Sequence, residues 1–163
     1  MFDDAADQPV SCYIDIVALA GADEGHAFVD MMLNMYRLWA YNHHLHFQVV
    51  FPRKLVERGG IDRAKLRIDG ADPDMLASRE NGVHRMIRTP PGKTQRRMAL
   101  IGVRVCDAAD APLPEAPYGW GEQIRSLIVD PHPCVKNHCT GFECQDTVGV
   151  IAGDLDQFWE ERT

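Results

Sequence analysis

The chain has 163 residues, 45% of them hydrophobic and 25% charged, with a formal net charge of −7. That length and balance suit one ordinary globular domain and argue against intrinsic disorder. No apolar run reaches the roughly 18 residues needed to span a bilayer, and the opening Met1-Phe2-Asp3-Asp4 is acidic where a secretory leader is basic, so a cytoplasmic protein with no membrane partner is expected.

Residues 1–10 show no periodicity and are expected to be flexible. From Ser11 to Leu19, Cys12, Ile14, Ile16 and Ala18 alternate with Tyr13 and Asp15, which predicts a strand. After Gly21, Asp23 is the expected N-cap of a helix. Phe28, Met31, Met32, Met35, Leu38 and Trp39, spaced by threes and fours, give that helix one apolar stripe for packing on the sheet. His43, His44 and His46 fall where helix gives way to a second strand, His46–Phe51; with no thiol or carboxylate beside them they read as a solvated turn. Gly59-Gly60 predicts a turn, and Ala64, Leu66 and Ile68 alternating with Lys65, Arg67 and Asp69 predict a third strand with one wet face. Asp72-Pro73 is an N-cap followed by proline at the first helical position, so a short helix is expected through Leu76.

Between Asn81 and Cys106 there is no Asp or Glu, yet Arg85, Arg88, Lys93, Arg96, Arg97 and Arg104 all lie there. This stretch carries +6 of a total of −7, so the remainder carries −13. An acidic protein with one positive field suits an anionic partner met on one face. Val83–Arg88 and Met98–Val105 read as a hairpin, and its tip, 89–97, holds prolines that bar ladder pairing and a glycine that permits unusual dihedrals. Cations on a shaped loop are suited to gripping phosphates. Asp107–Pro117 reads as a proline-rich linker, Gln123–Val129 as a strand, His132–Gly141 as a loop, Thr147–Ile151 as a short strand, and Asp154–Glu161 as a closing helix with Leu155, Phe158 and Trp159 inward. Five cysteines without secretory context predict reduced thiols. Cys134, His138, Cys139 and Cys144 crowd one segment with His132, but the cysteines are five apart and no tight knuckle is present, so neither metal nor cofactor is expected.

Four segments, taken together and in order, carry a family resemblance. They are Cys12-Tyr13-Ile14-Asp15-Ile16; Met35-Tyr36-Arg37-Leu38-Trp39-Ala40; Glu80-Asn81-Gly82-Val83-His84-Arg85; and Tyr118-Gly119-Trp120-Gly121-Glu122-Gln123-Ile124-Arg125-Ser126, continuing to Val135-Lys136-Asn137-His138, Thr140-Gly141 and Gly153-Asp154-Leu155-Asp156. The chain resembles bacterial class I peptide-chain release factors, especially the type that reads UAA and UGA. The resemblance implies an α+β fold, a mainly antiparallel sheet with packed helices like the family's codon-recognition superdomain (domains 2 and 4). Residues 11–106 would form the codon-recognition part, 107–117 would stand where the family inserts its Gly-Gly-Gln domain, and 118–163 would rejoin the same superdomain. It also implies the ribosome as partner, at its decoding centre, through ribosomal RNA and mRNA.

The departures are as informative. Gly-Gly-Gln occurs nowhere in the sequence and the family's amino-terminal helical domain has no counterpart, so the expectation is a protein that is not an enzyme unless a separate protein supplies the missing domain in trans. Pro90-Pro91-Gly92 stands where the family has the base-selecting Ser-Pro-Phe, and Met98-Ala99, after Arg96-Arg97, where it has His-Thr. The helix start that reads the first uridine in the family aligns with Gly21-Ala22-Asp23-Glu24, keeping one glycine and the glutamate. His84 and Arg85 match the family hairpin, either as RNA contacts or as supports of the fold. Arg88, Lys93, Thr94, Arg96 and Arg97 complete the expected RNA-binding set, with altered stop-codon reading. A protein-interaction scaffold that has left the ribosome is the alternative, and chemistry at the Cys134–Cys144 thiols a weaker third.

Overall fold

A computed structural model describes residues 10–52, 61–115 and 118–159. The expected flexible residues 1–10, except Val10, and the Gly59-Gly60 turn lie outside them. Eight strands form one sheet in the order β2-β3-β1-β5-β4-β6-β7-β8: β1 Ser11–Ala20, β2 His46–Phe51, β3 Arg63–Asp69, β4 Gly82–Arg88, β5 Arg97–Cys106, β6 Gln123–Ile128, β7 Cys134–Asn137 and β8 Glu143–Cys144. Every pairing is antiparallel except β4 with β6, so the α+β class expected from the sequence stands. The helices are α1 Asp23–Asn42, α2 Pro73–Glu80, α3 Thr147–Ile151 and α4 Leu155–Trp159.

The inward face of the sheet is written in the strand alternation. Cys12, Ile14 and Ile16 of β1, Ala64, Leu66 and Ile68 of β3, and Ala99, Ile101, Val103 and Val105 of β5 are buried there. Helix α1 lays Phe28, Met32, Met35, Tyr36 and Trp39 on this face, so the methionine-rich stripe is core and not an open groove. Helix α2 starts as its sequence dictates: the Asp72 carboxylate accepts from Asp74 N at 2.9 Å, and Pro73 takes the first turn, where no N–H is needed.

Three expectations need correction. Asp23 is the first residue of α1 and not its N-cap; the cap is Ala22 (φ 50°, ψ −122°), and no side chain caps this end. Thr147–Ile151 is helical, because Asp146 acts as N-cap, accepting from Gly149 N at 3.0 Å, while Thr147 and Val150 find a buried side. Local capping here overrides the β propensity of valine and isoleucine. The predicted loop His132–Gly141 contains β7, which extends the sheet beyond β6 and carries β8 on its far edge. The histidines at 43, 44 and 46 are exposed; His43 pairs with Asp156 of α4.

Around Glu80, at the end of α2, a buried polar cluster ties five elements together. Its carboxylate accepts from Tyr36 Oη of α1 at 2.5 Å, from Arg125 Nη1 of β6 at 3.0 Å, from Arg125 Nη2, and from Trp159 Nε1 of α4 at 2.9 Å. The Glu80 carbonyl accepts from His84 Nε2 of β4 at 2.8 Å. Burial works to raise the pKa of the Glu80 carboxyl, but the Arg125 charge and the hydrogen bonds outweigh it and hold the group below its ordinary value. The segment after residue 118 is thus joined to the earlier strands by a buried ion pair as well as by the parallel β4–β6 ladder.

Candidate nucleic-acid interface

The hairpin tip begins where β4 ends. Pro90 O accepts from Lys93 N at 3.0 Å, and Gly92 has φ +77°, so 90–93 close a type II turn with proline and glycine at its central positions. Two anchors hold the base of the tip. Arg88 donates from Nε and Nη2 to the two carboxylate oxygens of Glu24 at 2.8 and 2.7 Å, and Asp130, in the β6–β7 connection, accepts from Thr89 N at 2.9 Å and from Thr89 Oγ1 at 2.9 Å. The first anchor joins the hairpin to the start of α1; the second joins it to the far half of the sheet.

The start of α1 meets the tip from the other side. Gly21 has φ +109°, and a Cβ there would lie 2.8 Å from Met98 O and 2.9 Å from Ala99 Cα, so only glycine allows this closeness. The result is a cleft of about 290 Å³ lined by Gly21, Ala22, Asp23, Glu24, Pro90, Lys93 and Arg97. Residues 66 to 76 positions apart, singled out from sequence as two separate elements, therefore share one recess. Pro91, Gly92, Thr94 and Arg96 stand exposed on the adjoining tip, as do Lys93 and Arg97. Larger recesses exist elsewhere, one of about 520 Å³ by Trp39, His43 and Met75 and one of about 640 Å³ by Ser78, Asn137 and Cys139, and neither includes a residue expected to touch RNA.

Three of the expected RNA residues lie neither in this recess nor on the exposed tip. His84 is fully buried in the Glu80 cluster, so its role is to support the fold and the RNA-contact reading is corrected. Burial, and then the Arg125 charge, push its pKa down to about 4, so the ring is neutral at physiological pH. Arg88 is held in a bidentate pair with Glu24, which anchors the base of the tip and offsets its charge. Arg85 alternates with His84 and Met86 and projects on the opposite face of the sheet. The sequence reading missed Asp130, whose anchoring role depends on a parallel strand pairing that brings it beside Thr89 from 41 positions away.

The electrostatics of the recess are mixed. Asp23 and Glu24 occupy the first turn of α1, where the helix dipole favours anions, and Arg88 neutralises Glu24. Lys93, Arg96 and Arg97 have no ion-pair partner among the described residues. Their reach suits phosphate oxygens; the neighbouring Met98, 45% exposed, offers only apolar contact to a base. Among the described residues, no group of three or more His, Cys, Asp or Glu side chains is placed to hold a metal ion, and no helix is long and apolar enough to cross a membrane. The five cysteines are unbridged, and burial raises the Cys12 pKa to about 12.

The PCRF domain family matches residues 1–99. The chain is 25% identical, over 231 aligned positions, to peptide chain release factor 2 of Paramagnetospirillum magneticum, covering 90% of this chain and 62% of that protein. It is 34% identical over 93 positions to the chloroplastic peptide chain release factor PrfB2 of Arabidopsis thaliana, covering 57% of this chain and 19% of that one. The fold is similar to the solved RF2 of Thermus thermophilus, with a TM-score of 0.75 and 22% identity, covering 92% of this chain and 66% of that one. The chain thus spans less than two thirds of the length of these release factor 2 proteins. An alignment of 231 positions is longer than the 163 residues available, so at least 68 positions within the match (231 − 163) face no residue of this chain.

Proposed function

Because the chain belongs to the PCRF domain family and is homologous to bacterial release factor 2 over most of its length, we propose that it is a release-factor-like protein that binds the ribosomal decoding centre without hydrolysing peptidyl-tRNA. The observation that carries this reading is the single recess formed by Gly21–Glu24 and the Pro90–Arg97 tip, with Lys93, Arg96 and Arg97 in no ion pair among the described residues. Cations on an anchored loop bind phosphodiester oxygens of ribosomal RNA and mRNA and fix register; they carry no base selection themselves. Base selection needs donors and acceptors at base edges or a ring to stack on. Pro90, Pro91, Gly92, Met98 and Ala99 supply neither in their side chains, so stop-codon reading is altered or lost. Hydrolysis needs a group held within hydrogen-bond reach of the ester, and the 163 residues contain no Gly-Gly-Gln. A partner chain bearing such a domain would supply release in trans.

Sedimentation with ribosomes over a range of salt tests the reading. The wild-type chain is expected to co-pellet at low salt and to be released as salt rises. Arg96→Ala with Arg97→Ala should weaken binding and flatten the salt dependence by up to about two phosphate contacts, each contributing a slope of roughly 0.7–0.9. No binding at any salt sinks the proposal and leaves the protein-interaction scaffold, which the −13 charge outside the Asn81–Cys106 stretch favours. Codon-dependent peptide release by the chain alone would overturn the non-hydrolytic part.

A further inference from the structure

The sheet has a second face, and its side chains differ in kind from those beneath the helices. In β1, β3 and β5 the residues that alternate with the core are Tyr13, Asp15 and Val17; Arg63, Lys65, Arg67 and Asp69; and Leu100, Gly102, Arg104 and Cys106. In the ladder, Asp15 stands opposite Lys65 on one side and Arg104 on the other. Its carboxylate is 1% exposed, and it is the near counter-charge to Lys65, Arg63 and Arg104 together, three cations for one anion. Lys65 is engaged further, donating to the Ala109 carbonyl of the segment after β5. Arg67 is held by Asp69 at 2.8 Å. Arg63, Arg104 and Arg85 on β4 have no ion pair among the described residues.

A second observation comes from hydrogen bonding. Among the described residues, the Nε groups of Arg63 and Arg85 and the indole Nε1 of Trp120 are buried donors without an acceptor, against a single buried acceptor without a donor on this face, Asp15 Oδ1. Trp120 lies against Gly102, and Gly102 is opposite Val17 on one side and Val83 on the other. Arg63 is opposite Val17, Arg104 is two residues along β5, and Arg85 is two residues along β4 from Val83. Strand spacing of about 4.8 Å and a rise of about 3.3 Å per residue put all three arginine Cα atoms within roughly 10 Å of Gly102. Buried donors without acceptors are costly, and several on one face call for an acceptor-rich ligand.

We propose that this outer sheet face is a second anion-binding surface, and that Arg63, Arg85 and Arg104 take the phosphodiester backbone of an RNA. It is separate from the recess at the hairpin tip: Arg104 is seven residues from Arg97 along β5, about 23 Å at strand rise. An RNA backbone suits it because the surface offers donors and positive charge, with guanidiniums whose forked geometry matches phosphate oxygens. The inference shares its class of partner with the proposed function but does not depend on the tip.

The test measures binding of the full chain to a fluorescently labelled 20-base-pair RNA duplex by anisotropy over a salt series. Arg63→Glu with Arg104→Glu is expected to lower affinity at least tenfold and to flatten the salt slope by about two contacts, while Arg63→Lys with Arg104→Lys retains most of the binding. Circular dichroism and thermal melting check the fold, and Arg104→Glu alone, at an exposed position, repeats the measurement if the double variant fails to fold. Wild-type affinity and slope in the glutamate variants overturn the inference, as does a wild-type chain that binds no duplex. Displacement of a bound probe by polyglutamate at charge concentrations where RNA has no effect also overturns it, in favour of an acidic protein. Duplex binding lost in Arg96→Ala with Arg97→Ala but unchanged in the Arg63 and Arg104 variants defeats the outer face and spares the decoding-centre reading; duplex binding by a chain that ignores ribosomes does the reverse.

Discussion

The Glu80 cluster and the hairpin tip are fewer than twenty residues apart in sequence and treat cations in opposite ways. Arg125 is buried against a carboxylate that also accepts from Tyr36 and Trp159, so its charge is spent inside the protein. Lys93, Arg96 and Arg97 are exposed and form no ion pair among the described residues, although Asp23 and Glu24 line the recess beside them. Arg88 lies between these extremes, half-buried, with its fork closed on Glu24. A local count of +6 therefore overstates the field at the tip, because one of the six charges is neutralised there and Arg85 and Arg104 project on the other face of the sheet. Position in the fold, more than the number of basic residues, decides which charges a ligand meets.

The contrast is broken most severely by Glu80→Ala. It leaves Arg125 buried and unpaired and removes the acceptor of Tyr36 and Trp159, so unfolding in urea should show a loss of about 3–5 kcal/mol. A loss below about 1 kcal/mol would mean that the cluster is not a structural centre. Acidification strikes the same place. His84 has a folded pKa of about 4, below its ordinary value of 6.5, so the unfolded chain takes up the proton first as pH falls. Stability from keeping His84 neutral is complete above about pH 6.5 and drains away down to about pH 4, roughly 3 kcal/mol in all. The depressed Glu80 carboxyl acts in the same direction, its contribution being lost as pH falls through its folded pKa. In His84→Gln the part of the stability–pH slope between 6.5 and 4 should flatten, whatever that variant's absolute stability; an unchanged slope would assign the acid sensitivity elsewhere.

What was legible in the sequence follows from the range of the interactions. The strands at Ser11–Ala20, His46–Phe51 and Arg63–Asp69 and the start of α2 are set by alternation and by a cap two residues from its donor, which are local signals. In the final third the determinants are distant: β7 exists because β6 lies beside it, and the apolar 147–151 becomes a helix because Asp146 caps it and α1 receives it. The recess was legible only in halves. Gly21–Glu24 and Pro90–Arg97 were each marked by residue type, while their meeting depends on Gly21 pressing on Met98 and on the Glu24–Arg88 pair. His84 was ambiguous because a histidine in a basic hairpin looks alike whether it faces ligand or core, and strand parity alone does not say which face is covered.

At the tip the expected stability effect is the smallest and its sign is the informative part. Arg97 stands opposite Arg88 in the ladder, and like charges directly opposite across an antiparallel pair destabilise by a few tenths of a kcal/mol up to about 1. Pairing of Arg88 with Glu24 relieves part of that repulsion. Exposed Arg96 contributes no buried contact, and changes at such sites usually stay within about 0.5 kcal/mol. Arg96→Ala with Arg97→Ala should therefore unfold at the wild-type urea concentration or slightly above it, while ribosome binding falls. Side chains whose removal costs the fold nothing but costs the complex its phosphate contacts are there for the partner; a loss of more than about 2 kcal/mol in the same variant would instead make the tip part of the scaffold, like Arg125.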